Sequence, residues 1–179
     1  QTIPLKRYLV STTGEFRNRI VEPTRFSPPP NPKIHRLPAP VEKVGLEALR
    51  LYPPVPHIFR DAIGPDDICG ESIGANTQVW MSPWVMHRHR RFWDRPTAFL
   101  PSRFAGKTAP WTQTPAYIPF GAGPRICIGF SFALSEAQIV VAQLLSRYRI
   151  SLPDARPVLP VGRVTIEPSY EPLFRLDPV

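Results

Sequence analysis

Cys127 has the widest chemical reach of any residue in the chain, and its neighbours decide what that chemistry is. It lies in the run Phe120-Gly-Ala-Gly-Pro-Arg-Ile-Cys-Ile-Gly129. Gly121 and Gly123 permit positive φ and a tight turn that a flat ligand can approach closely, and Pro124 stiffens that turn. A long apolar-patterned helix begins just after the cysteine, so free amide N–H groups and the positive dipole end favour a thiolate there. Arg125 adds a nearby cation, and Gly129 removes a side chain beside the sulfur. A soft anionic metal ligand needs these features. A buried small hydrophobe and a catalytic nucleophile are the other readings of a lone cysteine.

Several elements must hold that loop. Val41, Val44, Leu46, Leu49 and Leu51 make a helical apolar stripe from Pro40, stopped at Tyr52-Pro53-Pro54 because proline cannot continue a helix. Glu47 and Arg50 on this helix are three residues apart and can pair. His57–Arg60, Ile68–Ile73 and Thr77–Met81 read as short strands, the last two as a hairpin. Ser82 to His87 reads as the start of a short helix. Residues 91–119 read as a long loop packed by Trp93 and Trp111, with Trp84 just before it. The best helix runs from Gly129 to about Tyr148, and Arg149–Leu152, Arg163–Ile166 and Leu173–Leu176 read as closing strands. Residues 1–36 show no sustained period and end in Ser27-Pro-Pro-Pro-Asn-Pro32, so they read as an irregular segment of separate origin, such as a shifted frame or a mis-spliced boundary.

Phe120, Gly123, Arg125, Cys127 and Gly129 fill every fixed position of F-x-x-G-x-R-x-C-x-G, and the chain resembles the cytochrome P450 family there. Glu47-Ala-Leu-Arg50 followed by Leu51-Tyr-Pro-Pro-Val-Pro56 resembles the family's E-x-x-R segment. Phe99-Leu-Pro-Ser-Arg-Phe104 resembles its F-x-P-x-R-F segment, with Ser102 where glutamate is commoner. The resemblance covers residues 37–179. It implies the carboxy-terminal portion of that fold: mainly α with small β-sheets, in the order E-x-x-R helix, β-hairpins, meander loop, cysteine loop, long helix and closing strands. It also implies a haem cofactor, with Cys127 as the axial thiolate whose electron donation favours O–O cleavage. Phe120, Gly121, Gly123, Arg125 and Gly129 would surround the haem, Arg125 would pair with a propionate, and Glu47, Arg50 and Arg103 would form a structural trio fixing the cysteine loop; Arg60 resembles a second propionate contact or is a solvated strand arginine.

The reaction implied is monooxygenation of a small organic substrate. Its electrons would come from NAD(P)H only indirectly, through a ferredoxin, a flavodoxin or a reductase. Arg88, Arg90, Arg91 and Lys107 are the residues expected to dock that partner. The family's oxygen-activating acid–alcohol pair, in an [AG]-G-x-[DE]-T pattern, matches nothing before Glu47, so no catalytic residue is expected in these 179 residues. The alternative is therefore a truncated haem-binding module or an inactive remnant.

Composition narrows the remaining classes. A net charge of +8 with 25 prolines describes a basic globular chain with long irregular stretches. No basic run is interleaved with aromatics as in nucleic-acid readers, so no nucleic-acid partner is expected. His87 and His89 stand two apart in a basic turn, a poor spacing for shared metal ligation, and Cys69 reads as structural. Cys69 and Cys127 form no C-x-x-C pair, which argues against structural zinc. No apolar stretch approaches membrane-helix length, and no signal-peptide pattern opens the chain. Gln1 reads as a cut end. The expected location is soluble and cytoplasmic, with an anchored longer parent left open.

Overall fold

A computed structural model describes residues 39–106, 114 and 116–179. The expected boundary at residue 36, Trp111 and Lys107 lie outside the described residues. The first helix, α1 (Ala39–Leu51), ends where the prolines require, and it buries Leu46 and Leu51. Its last turn also buries a charged pair, Glu47 and Arg50, which the apolar stripe alone would not place inside.

β1 (Ile58–Asp61) pairs antiparallel with β4 (Gln78–Met81), Ile58 opposite Met81 and Arg60 opposite Val79. Between them, β2 (Asp66–Ile68) and β3 (Glu71–Ile73) form their own hairpin. The expected hairpin of Ile68–Ile73 with Thr77–Met81 is therefore corrected. Residues 68–73 do not run as one strand because Cys69 and Gly70 turn the chain at φ of 59° and 90°. A two-residue turn with both φ positive matches the twist of a tight hairpin, and the Asp67 carboxylate accepts the Gly70 N–H at 2.8 Å.

Ser82 caps the short α2 (Pro83–Met86), accepting the Val85 N–H, as its Ser-Pro start favours. Turns and a 3-10 segment, Pro101–Phe104, carry the meander. A second 3-10 turn, Gly123–Arg125, precedes α3 (Phe130–Arg147). The tail folds as two further pairs. β5 (Tyr148–Ser151) pairs with β8 (Arg175–Pro178), and β6 (Pro160–Gly162) with β7 (Ile166–Pro168). The strand expected at Arg163–Ile166 is mostly the turn between β6 and β7, and β6 was not anticipated. Prolines at the outer ends of both strands hid them, since proline is confined to strand edges.

The core joins distant parts of the chain. Leu46 of α1, Trp93 and Phe104 of the meander, and Tyr117 pack together, with Phe92 and Leu134 of α3 against them. Thus α1, the meander, the segment before the cysteine loop and the helix after it share one apolar contact region.

Candidate functional site

The cysteine loop is a tight, glycine-hinged turn. Gly121 and Gly123 adopt φ of 77° and 73°, a region that other residues enter at a cost. The Cys127 N–H donates to the Phe120 carbonyl at 2.9 Å, which closes the loop on itself. The Phe130 N–H donates to the Cys127 carbonyl at 3.3 Å and joins the loop to α3. Phe120 is half-buried against Phe130, with ring centroids 6.2 Å apart. Cys127 is a free, exposed thiol, and Ile128 beside it is also fully exposed. A Cβ at Gly129 would sit 3.9 Å from the Cys127 Sγ, so glycine there keeps one side of the sulfur open.

The first strand abuts this loop. A Cβ at Gly121 would lie 3.8 Å from the Ile58 Cδ1. Ile58 and Arg60 are two residues apart on β1 and are its half-buried positions, so both belong to the face turned to the loop. The Arg60 Nη1 donates to the neighbouring Phe59 carbonyl at 2.7 Å. Arg125 is exposed on the 3-10 turn.

Glu47, Arg50 and Arg103 meet in a buried cluster. Arg50 grips the Glu47 carboxylate with two parallel bonds, at 2.8 and 2.9 Å. Arg103 Nε and the Leu100 N–H reach Glu47 Oε1 at 3.0 and 2.8 Å. Burial alone would raise the Glu47 pKa; the bonds from Arg50, Leu100 and Arg103 outweigh it and hold the carboxyl below its usual range. The remaining donors satisfy meander carbonyls: Arg50 takes those of His87, Pro96 and Ala98, and Arg103 those of Asp94 and Arg95. Both guanidinium groups lie over Trp93, at 5.2 and 5.9 Å. The trio therefore fastens residues 87–100 to α1.

The segment leading into the cysteine loop is held by Tyr117, which the sequence reading does not single out, and by His87, which it places in a basic turn. The Tyr117 hydroxyl donates to the Leu46 carbonyl at 2.8 Å, and His87 Nε2 accepts the Ile118 N–H at 2.9 Å. Periodicity offers no signal for either, because the groups they bond are distant in sequence. The residues expected to dock a partner differ in their surroundings. Arg88 lies 3.4 Å over the Trp84 ring and donates to the Leu51 carbonyl, so its charge is engaged within the fold, whereas Arg90 and Arg91 are exposed.

The family model described as cytochrome P450 matches residues 27–172. The chain belongs to the cytochrome P450 family. Human cytochrome P450 4B1 is 39% identical over 111 residues, covering 62% of this chain and 22% of that protein. Tabersonine 3-oxygenase of Catharanthus roseus is 34% identical over 123 residues, covering 66% of this chain and 24% of that protein. The steroid 17-alpha-hydroxylase/17,20 lyase of Peromyscus leucopus is 37% identical over 115 residues, covering 63% and 23%. The chain thus spans about a quarter of the length of these relatives. Among solved structures, the cytochrome P450DA heme domain matches with a TM-score of 0.69 at 29% identity, covering 78% of this chain and 30% of that one.

The donor set around Cys127 fits haem as this family binds it. Among the described residues, no three His, Cys, Asp or Glu side chains gather as a metal site. A single thiolate would suit an iron whose remaining ligands come with the cofactor. The open sulfur, the glycine at 129 and the exposed Ile128 leave room for a flat apolar group. No helix among the described residues is long and apolar enough to cross a membrane.

Proposed function

We propose that Cys127 is the axial thiolate of a haem iron, and that these residues are the haem-holding part of a monooxygenase. The whole enzyme would insert one atom of O₂ into a small organic substrate. The observation that carries this reading is a free, exposed cysteine on a glycine-hinged loop that Tyr117 and His87 tie to α1. When bound, haem supplies the oxygen chemistry. The chain supplies the anionic ligand and its fixed position. Arg125, exposed two residues before the cysteine, and Arg60, on the strand face turned to the loop, are assigned to the propionates. The hydroxylase and oxygenase names of the relatives support the reaction class.

Electrons would come from NAD(P)H through a separate ferredoxin, flavodoxin or reductase, with Arg90 and Arg91 as exposed cations for an acidic surface. The test is to add haem to the full chain, reduce it and record the carbon-monoxide difference spectrum. A thiolate-type band that disappears in Cys127→Ser is the expected result. Haem uptake with an identical band in Cys127→Ser would overturn the assignment. A thiolate-type band without product formation would select the haem-binding module over the complete enzyme.

A further inference from the structure

His87 is fully buried, and its ring belongs to neither the cysteine loop nor the Glu47 cluster. The ring bridges two separate elements. Nδ1 lies 3.1 Å from the Arg50 carbonyl at the end of α1, and Nε2 accepts the Ile118 N–H at 2.9 Å. Because Nε2 is an acceptor, the neutral ring carries its proton on Nδ1 and donates it to Arg50. The Arg50 guanidinium returns a bond to the His87 carbonyl at 2.7 Å, so side chain and backbone lock together. Tyr117 stacks on the imidazole at 5.3 Å. Beyond Ile118 the contacts lead to the cysteine. The Gly121 N–H donates to the Ile118 carbonyl at 3.1 Å, and the Cys127 N–H donates to the Phe120 carbonyl at 2.9 Å.

We propose that His87 is a positioning residue for Cys127: it clamps residue 118 to the end of α1 and so fixes where the loop presents its sulfur. The functional meaning of the clamp rests on the reading of Cys127 as the iron ligand; the clamp itself is measurable without haem. Protonation would open it, since an imidazolium has donors on both nitrogens and Nε2–H would then oppose the Ile118 N–H. The charged and titratable groups facing the ring are the Arg50 and Arg88 guanidiniums and the Tyr117 phenol, with Glu47 paired to Arg50. Desolvation first, then the two arginines, push His87 down to about 4 and keep the clamp closed near neutrality.

Two polar substitutions separate clamping from filling space. The glutamine oxygen in His87→Gln reaches the Nε2 position and can accept from Ile118, whereas the shorter His87→Asn reaches only the Nδ1 position. Amide hydrogen exchange on the full chain is the first readout. His87→Asn should speed exchange at Ile118, Gly121 and Cys127 about tenfold, the loss expected for one buried hydrogen bond, with β5 and β8 unchanged. His87→Gln should keep the three amides close to wild type. With haem added, the share of bound haem giving the thiolate-type carbon-monoxide band should fall in His87→Asn and persist in His87→Gln.

Equal exchange in the two variants, or wild-type protection in His87→Asn, overturns the clamp. A merely structural role would lower total haem uptake and leave the thiolate share unchanged, which also overturns the proposal. Wild-type exchange across acid pH requires no variant to fold: the three amides should lose protection together as the imidazole protonates, and independent loss refutes the clamp. If the exchange results hold but wild type shows no thiolate-type band, the Cys127 reading has failed, and with it the functional half of this proposal.

Discussion

Replacing Arg50 by lysine tests whether geometry, beyond charge, holds the meander on α1. Arg50 is fully buried and donates five hydrogen bonds: two to Glu47 and one each to the carbonyls of His87, Pro96 and Ala98. An ammonium keeps the charge but has only three donors and no planar fork. At least two of those five bonds must then be lost, although Glu47 Oε1 keeps the Leu100 and Arg103 donors and the Ala98 carbonyl keeps Arg103. A hydrogen bond from a charged donor contributes about 1–3 kcal/mol, so Arg50→Lys should lose about 2–6 kcal/mol. A typical domain has about 5–15 kcal/mol in total, which places the variant close to unfolding. Urea titration of the full chain, followed by tryptophan fluorescence, measures the loss, with Trp93 beneath both guanidiniums as a local reporter. A loss below about 1 kcal/mol would refute the reasoning, because it would mean that charge alone suffices.

His87 gives the chain a pH dependence with a defined sign. The ring titrates near its ordinary 6.5 when unfolded and at about 4 when folded. The unfolded chain therefore takes up the proton first. Stability is full above about pH 6.5 and falls between 6.5 and 4, by at most about 3 kcal/mol. Glu47, whose folded pKa is depressed, acts in the same direction but only below the carboxylate range, so a slope between pH 5 and 6.5 that vanishes in His87→Gln isolates the histidine. Gly121→Ala should cost about 1–2 kcal/mol from its left-handed φ, read as a lowered urea midpoint; an unchanged midpoint would contradict that backbone. Tyr117→Phe removes the phenol donor that the Leu46 carbonyl accepts besides its helical N–H and should cost about 0.5–1.5 kcal/mol, with a lower thermal midpoint as the check.

The sequence made legible what depends on local spacing. The helix over residues 39–51 follows from an apolar stripe and two prolines, and the position of α3 from a broad apolar face. The left-handed turns at Gly121 and Gly123 follow from residues that tolerate them. Long-range pairing stayed hidden. Thr77–Met81 reads as the partner of the strand just before it, whereas the positive φ at Cys69 and Gly70 folds that strand on itself and β4 pairs with β1. His87 resembled a surface residue in a basic turn because burial by Tyr117 and Trp93, distant in sequence, cannot be read from periodicity. The partners of Arg88, Trp84 and the end of α1, were hidden for the same reason, since the fold sets them.

The central claim is a bond between the Cys127 sulfur and haem iron. Iron-edge X-ray absorption on the haem-loaded full chain reads that bond without relying on activity. The account predicts an iron–sulfur scattering path in the wild type that is absent in Cys127→Ser. Scattering from nitrogen and oxygen alone in the wild type would contradict it.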